Sequence, residues 1–285
     1  MAGFFGTGGY DNAGSGISKN AAPKGSLKLF FEILGVRIWK LFTLNLIYML
    51  ACIPVITIGP ATAGMTKVLK NYAIDKNAYV WLDFKETFIK NFLRAFIWGI
   101  VDIIAYAGVV TGLIIYPMMI KDESLNLPVP LLYVMYVLTM SVGITFTIMN
   151  YYIYMMMVST DLSMKNIIKN ALALSFLAPK KNLIALVSNL VLPLIPLLLI
   201  IYVNMQFVFI LPFAPASLIG FIVCYCCYPV VQKYVINPYY EARGDENPEN
   251  PGYTTSDEEV LFEDMGGKEK PVEMKKKTRK GKIIS

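Results

Sequence analysis

Apolar residues fall along this chain in long unbroken runs, set apart by short basic stretches. Residues 96–120, 129–157, 183–202 and 207–236 are each long enough to cross a hydrocarbon layer, which takes ~20 helical residues. An earlier stretch, 41–53, carries no charge and runs into Pro54-Val55-Ile56-Thr57-Ile58-Gly59-Pro60-Ala61-Thr62-Ala63-Gly64. Pro54 and Pro60 remove backbone donors, and Gly59 frees the backbone to turn. Lipid tolerates interrupted backbone only where protein or a water-filled cavity covers it, so this segment is expected inside a bundle. Ala61, Ala63 and Gly64 are small enough to let a neighbouring helix approach. Pro54, Thr57, Gly59, Pro60, Ala61 and Ala63 therefore form a candidate structural motif.

Three stretches carry a helical period instead. In 26–40, Leu27, Phe30, Phe31, Leu34 and Ile38 recur on one face, predicting a surface helix that feeds the first span. In 82–94, Phe84, Phe88 and Phe92 stand at i, i+4 and i+8, and Asp83 followed by Glu86 resembles a capping box. In 163–175, Met164, Ile168, Ala171 and Ser175 share a face, with Lys165 and Lys169 on another. Prolines at 193, 196, 212, 215 and 229 imply kinks, and the short connection 203–206 predicts a tight helical hairpin. The fold class is all-α: a polytopic transmembrane helical bundle of four long spans plus a Pro/Gly-interrupted first segment. That makes five or six crossings, with amphipathic cytoplasmic helices. Residues 1–25 read as a flexible lead, 26–240 as the transmembrane domain and 241–285 as a disordered tail, acidic and then basic.

Composition agrees: 56% of residues are hydrophobic and the mean hydropathy is +0.53, too apolar for a soluble domain. The first 25 residues lack a continuous apolar core, so no cleavable leader is expected. The chain has no histidine, which removes His-dependent triads and His-ligated metals from consideration. Its four cysteines, Cys52, Cys224, Cys226 and Cys227, lie in apolar runs without metal-ligand spacing and read as reduced packing thiols. No cofactor or metal is expected.

Basic residues set the orientation. Lys67, Lys70, Lys76, Lys85, Lys90 and Arg94 precede the 96–120 run, and Lys165, Lys169, Lys180 and Lys181 precede 183–202. The connection 121–128 carries Lys121 alone, and 203–206 carries no basic residue. By the positive-inside rule the basic segments and the tail are cytoplasmic. Both flanks of the first apolar run are basic, and two topologies answer that. In the preferred one, the run rises to the Pro54–Pro60 turn and 61–72 returns as a second limb. In the other, five plain spans leave the N-terminus outside. A weak internal repeat favours the second: Lys90-Asn91-Phe92-Leu93 and Lys181-Asn182-Leu183-Ile184 lie 91 residues apart, as do the first apolar run, taken from Ile38, and the third, from Val129. A true duplication would send those two runs across in the same direction.

Polar residues within apolar runs are few. Asp102 is the acid in mid-run, and a charge at membrane depth costs ~2.5–3.5 kcal/mol even on insertion scales. It either serves as a relay or substrate contact, or, lying eight residues past Arg94, caps or pairs near the inner interface. Asn45, Asn150 and Asn189 suit interhelical hydrogen bonds. The Met- and Tyr-rich stretch 149–157 reads as packing and interfacial belt. Phe84, Phe88 and Phe92 either seat on the inner leaflet or dock a partner. The tail ends in Lys275-Lys276-Lys277-Thr278-Arg279-Lys280, which reads as solvated or as a tether to anionic lipid. No fold surrounds it, so no nucleic-acid partner is expected.

Asn45-Leu46, the run from Pro54 to Ala63, Tyr79, the stretch from Phe84 to Phe92, and Trp98 together resemble the YesL-like family. These are small polytopic membrane proteins of Gram-positive bacteria with a domain of unknown function. The stretch 166–182, with Lys169-Asn170-Ala171 at its core, resembles a second motif of that family, and the likeness extends over roughly 28–240. The resemblance implies no activity and transfers no site residue. Such proteins are often encoded beside carbohydrate ABC importers, which implies an accessory or regulatory role in sugar uptake, with membrane lipid and importer subunits as partners. The alternative is an independent small-solute transporter or channel with its site at the interrupted first helix. An enzyme is the weakest reading, because no His, intramembrane carboxylate pair or nucleophile motif is present.

Overall fold

A computed structural model of the chain describes residues 26–122, 128–203, 206, 215–244, 247 and 249. The expected lead (1–25), most of the charged tail, residues 204 and 205 of the expected connection 203–206, and 207–214 of the last apolar run lie outside the described residues. The described chain forms two compact units, Met1–Tyr239 and Tyr240–Ser285. In the second, Arg243 and Gly244 close turns on the carbonyls of Tyr240 and Glu241, and the Asn247 side chain accepts from the Glu249 amide at 2.9 Å.

The first unit holds the bundle, and among its described residues there is no strand. Its helices are α1 (Ser26–Ala51), α2 (Ile58–Ala73), α3 (Val80–Lys90), α4 (Phe92–Lys121), α5 (Val129–Ser159), α6 (Met164–Leu177), α7 (Pro179–Val191), α8 (Leu194–Leu198) and α9 (Pro215–Val231). Wide π turns, Leu199–Val203 and Gln232–Ile236, follow α8 and α9, downstream of Pro196 and Pro229. A short α10 (Asn237–Glu241) closes the run. Among the described residues, five stretches are long and apolar enough to cross a membrane: Leu27–Ala51, Phe92–Lys121, Val129–Ser159, Pro179–Tyr202 and Ala216–Glu241.

The chain folds back after the first of these. Pro54, extended at φ −74° and ψ 111°, follows the end of α1. A single 3₁₀ turn, Val55–Thr57, reverses the chain. The Thr57 hydroxyl lies within donating reach of the carbonyls of Ala51 and Pro54, the first of which the end of α1 leaves open. Pro60 then sits in the first turn of α2, where a missing N–H has no helical partner to lose. Contacts climb α1 as they descend α2. Near the turn, the Tyr48 and Thr62 hydroxyls meet at 3.3 Å. At the open end, the Arg37 guanidinium donates to the Asp75 carboxylate at 2.7 Å and to the Lys76 carbonyl at 2.6 Å, and lies 4.7 Å over the Tyr72 ring. The two helices are an antiparallel hairpin, and α2 is its buried limb: Ala61, Ala63, Val68 and Tyr72 have no exposed surface.

α3 and α4 return along α2. The Phe84 ring packs against Gly64, Asn91 breaks the path between the two helices, and Gly59 then meets Ala95 and Gly99 backbone to backbone. From Gly99, α4 runs about 33 Å further to Lys121 at about 1.5 Å per residue. The hairpin tip therefore stops far short of the other end of the bundle. Its exposed residues Ile53, Val55 and Ile56 are apolar, which suits a tip standing in hydrocarbon. α5 descends beside α4, as successive contacts show: Gly112 with Thr139, Gly143 with Val109, Tyr106 with Thr147, and Trp98 with Asn150. Apolar side chains such as Ile104, Met118, Val137 and Leu190 face outward, as lipid-facing surface requires.

This geometry answers the charge conflict. Lys67, Lys90 and Arg94 line one cleft with 157–161 at the lower end of α5, and Arg37 meets Asp75 just past the end of α2. Lys121 lies at the opposite end of α4. The repeat takes a different form from the one expected. α1 runs opposite to α2, and α2 runs the same way as α5, since both are antiparallel to α4. The recurring unit is thus α2–α3–α4 and α5–α6–α7, so the first and third apolar runs travel in opposite directions.

Three local expectations are corrected. The surface helix and first limb are one continuous α1, and its buried stripe is Ile33, Arg37, Leu41, Leu44 and Asn45, while Leu27, Phe31 and Ile38 are exposed. α3 begins at Val80, before the expected capping box, and the Asp83 carboxylate reaches back to the Tyr79 amide at 3.2 Å. On α6 the buried face is Ile167, Ala171, Leu174 and Ser175, shifted from Met164 and Ile168.

Candidate functional site

Beneath the hairpin tip, residues of α1, α2, α4, α5, α7 and α9 line a half-open cavity of about 630 Å³. The volume lies within the range of small-molecule sites. Asp102, Asn150 and Asn189, which are far apart in sequence, all line it. The Tyr154 hydroxyl donates to Asp102 Oδ2 at 2.7 Å, and the Trp98 indole N–H donates to Asn150 Oδ1 at 2.8 Å. Asn189 donates to the Tyr151 hydroxyl at 2.7 Å. Asp102 thus takes its hydrogen bond from α5 and not from Arg94, so the interfacial pairing expected of it is replaced by a place in the cavity wall. The Asn150 amide stands beside the Asp102 carboxylate.

Asn45 is not part of this wall. Fully buried, its carbonyl accepts from the Ser217 amide at 3.1 Å and ties α1 to the start of α9. That bond serves a backbone donor in the first turn of α9, which has no partner within its own helix.

Sequence reasoning missed the tyrosines. Tyr48, Tyr106, Tyr151 and Tyr154 all face the cavity, with Thr62 and Thr66. Within 149–157, expected as packing, the residues divide by face. Tyr152, Ile153, Met156 and Met157 are core, while Tyr151 and Tyr154 reach the cavity. The signal available was their i, i+3 spacing beside Asn150 on an otherwise apolar run. Asn182, quoted only for the repeat, proves to be a joint. It is buried, donates to the carbonyls of Leu174 at 3.1 Å and Ser175 at 2.8 Å, and accepts from the Tyr152 hydroxyl. One side chain so binds α5, α6 and α7 together.

The motif residues act as scaffold. Pro54 and Thr57 make the turn, Gly59 gives the closest crossing, and Pro60, Ala61 and Ala63 are buried in α2. The three phenylalanines form a ladder continued by Phe96, with ring centroids 6.1, 5.6 and 5.9 Å apart. Phe84 is 4% exposed against Gly64, so it is a packing residue and not a docking one; Phe88 is half-buried and Phe92 is exposed. The outward face of α3 carries Trp81, Leu82 and Ile89 instead. All four cysteines are free thiols, three of them buried.

No curated protein matches the chain, and no solved structure matches it. The family described as a protein of unknown function, DUF624, matches residues 41–115, a stretch that begins in the second half of α1 and takes in the turn, α2, α3 and most of α4.

Proposed function

We propose that the chain is a YesL-like, multi-pass protein of the bacterial plasma membrane. It acts without catalytic chemistry, as an accessory or regulatory partner of a carbohydrate ABC importer. The family match supports the resemblance, because it covers the turn and the ladder that carry it. The basic end faces the cytoplasm by the positive-inside rule. With Lys28→Cys, Lys76→Cys or Lys121→Cys placed singly in a cysteine-free chain, an impermeant thiol reagent applied outside intact cells is expected to label only the third. Labelling of the first from outside would restore the five-span topology.

The observation that carries the accessory role is the surface of the two inner amphipathic helices. α3 exposes Trp81, Leu82 and Ile89, and α6 exposes Leu172, Phe176 and Leu177, beside Lys85, Lys165 and Lys169. Apolar side chains rimmed by charge suit a partner lying against the same membrane. Purification of the tagged chain in mild detergent is expected to bring down importer subunits, and Trp81→Ser with Phe176→Ser is expected to lose them. Recovery of none from the unaltered chain would overturn the role.

A second reading has its own support. A partly polar cavity beneath an interrupted helix, with a carboxylate in its wall, suits a small-solute site.

A further inference from the structure

We propose that the cavity beneath the hairpin tip takes a small organic cation, an ammonium group carried on an apolar body. The inference rests on the solute-site reading and names the class of solute. Three features of the wall select it.

The first is charge. Among the described residues lining the cavity, Asp102 is the charged one, and none is Lys or Arg. Lys70, the buried lysine of α2, has its ammonium 5.1 Å over the Tyr228 ring instead. An anion would meet a carboxylate with no cation in the wall to offset it. A neutral polyol would leave that carboxylate without a counter-charge in a low-dielectric site.

The second is directional. Tyr154 holds Oδ2 of the Asp102 carboxylate and the Asn150 amide stands beside it, so the wall fixes the carboxylate while leaving it acceptor capacity for a positive group. Tyr48, Tyr106, Tyr151 and Tyr154 surround the site, and tyrosine rings attract cations through their faces.

The third is size and polarity. A bare divalent metal wants six or more oxygen ligands at short range. The wall is largely apolar, with Met65, Ile103, Met155, Ile219 and Val223 among its residues, around a volume of about 630 Å³. It has room and apolar surface for a carbon body behind the charged group.

The test uses the purified full chain in detergent, titrated calorimetrically with benzyltrimethylammonium and with its uncharged isostere neopentylbenzene. Saturable binding of the ammonium, at least tenfold tighter than the isostere, is expected. Asp102→Asn, which keeps the side-chain shape, is expected to remove that preference. The comparison of the two probes on the unaltered chain stands even if the variant fails to fold. Equal binding of both probes, or an ammonium affinity that Asp102→Asn leaves unchanged, overturns the cation and leaves the cavity a solute site. Binding of neither probe overturns the solute-site reading as well.

Discussion

Gly59→Ala is expected to cost about 3 kcal/mol, the upper end of what overpacking costs, and to remove most monodisperse protein from a detergent extract. A Cβ at Gly59 would collide with the Ala95 carbonyl oxygen and stand 2.9 Å from the carbonyl carbon. A Cβ at Gly99 would stand 2.9 Å from the Gly59 Cα. Both obstacles are backbone, so neither can swing aside as a side chain would. The crossing of α2 and α4 must widen, and every contact along it loosens. Gly99→Ala is therefore expected to behave alike. Gly35 and Gly108 are helical too, yet a Cβ at either meets nothing within 4 Å. Gly35→Ala and Gly108→Ala should be neutral or should stabilise by up to ~1 kcal/mol, through helix propensity alone. Thermal unfolding of the four variants separates close approach from a general intolerance of change.

Asn182→Ala is expected to cost roughly 3–5 kcal/mol, since each buried polar group left without a partner costs ~1–3 kcal/mol. The substitution strips partners from the Tyr152 hydroxyl and from the Leu174 and Ser175 carbonyls at once. Tyr152 itself is fully buried, so water is poorly placed to replace what is lost. Asn182→Asp should rescue little, because a carboxylate cannot donate to either carbonyl. Tyr152→Phe removes a hydroxyl together with its need for a partner, and should cost less. The two changes combined should fall short of the sum of their separate costs. Additive losses would show that the joint does not act as a unit.

The spans were legible because length and unbroken apolarity are sufficient signals in lipid. The turn was legible because Pro54 and Pro60 leave few alternatives. The buried stripe of α1 was not, because it runs through Arg37. A cation there reads as a polar face, and its partners Asp75 and Lys76 lie beyond a whole intervening helix, where no local period reaches. Phe84 misled for a related reason: a helical phenylalanine row reads as surface until Gly64 is seen to leave room for one ring. Asp102, Asn150 and Asn189 stood out singly as polar residues in apolar runs. Their convergence depends on α4, α5 and α7 meeting below the tip, which spacing within one helix does not encode. The cavity tyrosines passed unnoticed because tyrosine is ordinary in membrane helices.

Among the described residues, the hairpin that turns back at partial depth adds two limbs, α1 and α2, to the basic side of the bundle and none to the far side. A body of that taper prefers lipids whose headgroups and tails are mismatched in area. Its host bilayer's spontaneous curvature then becomes one of the forces acting on the Gly59–Gly99 crossing.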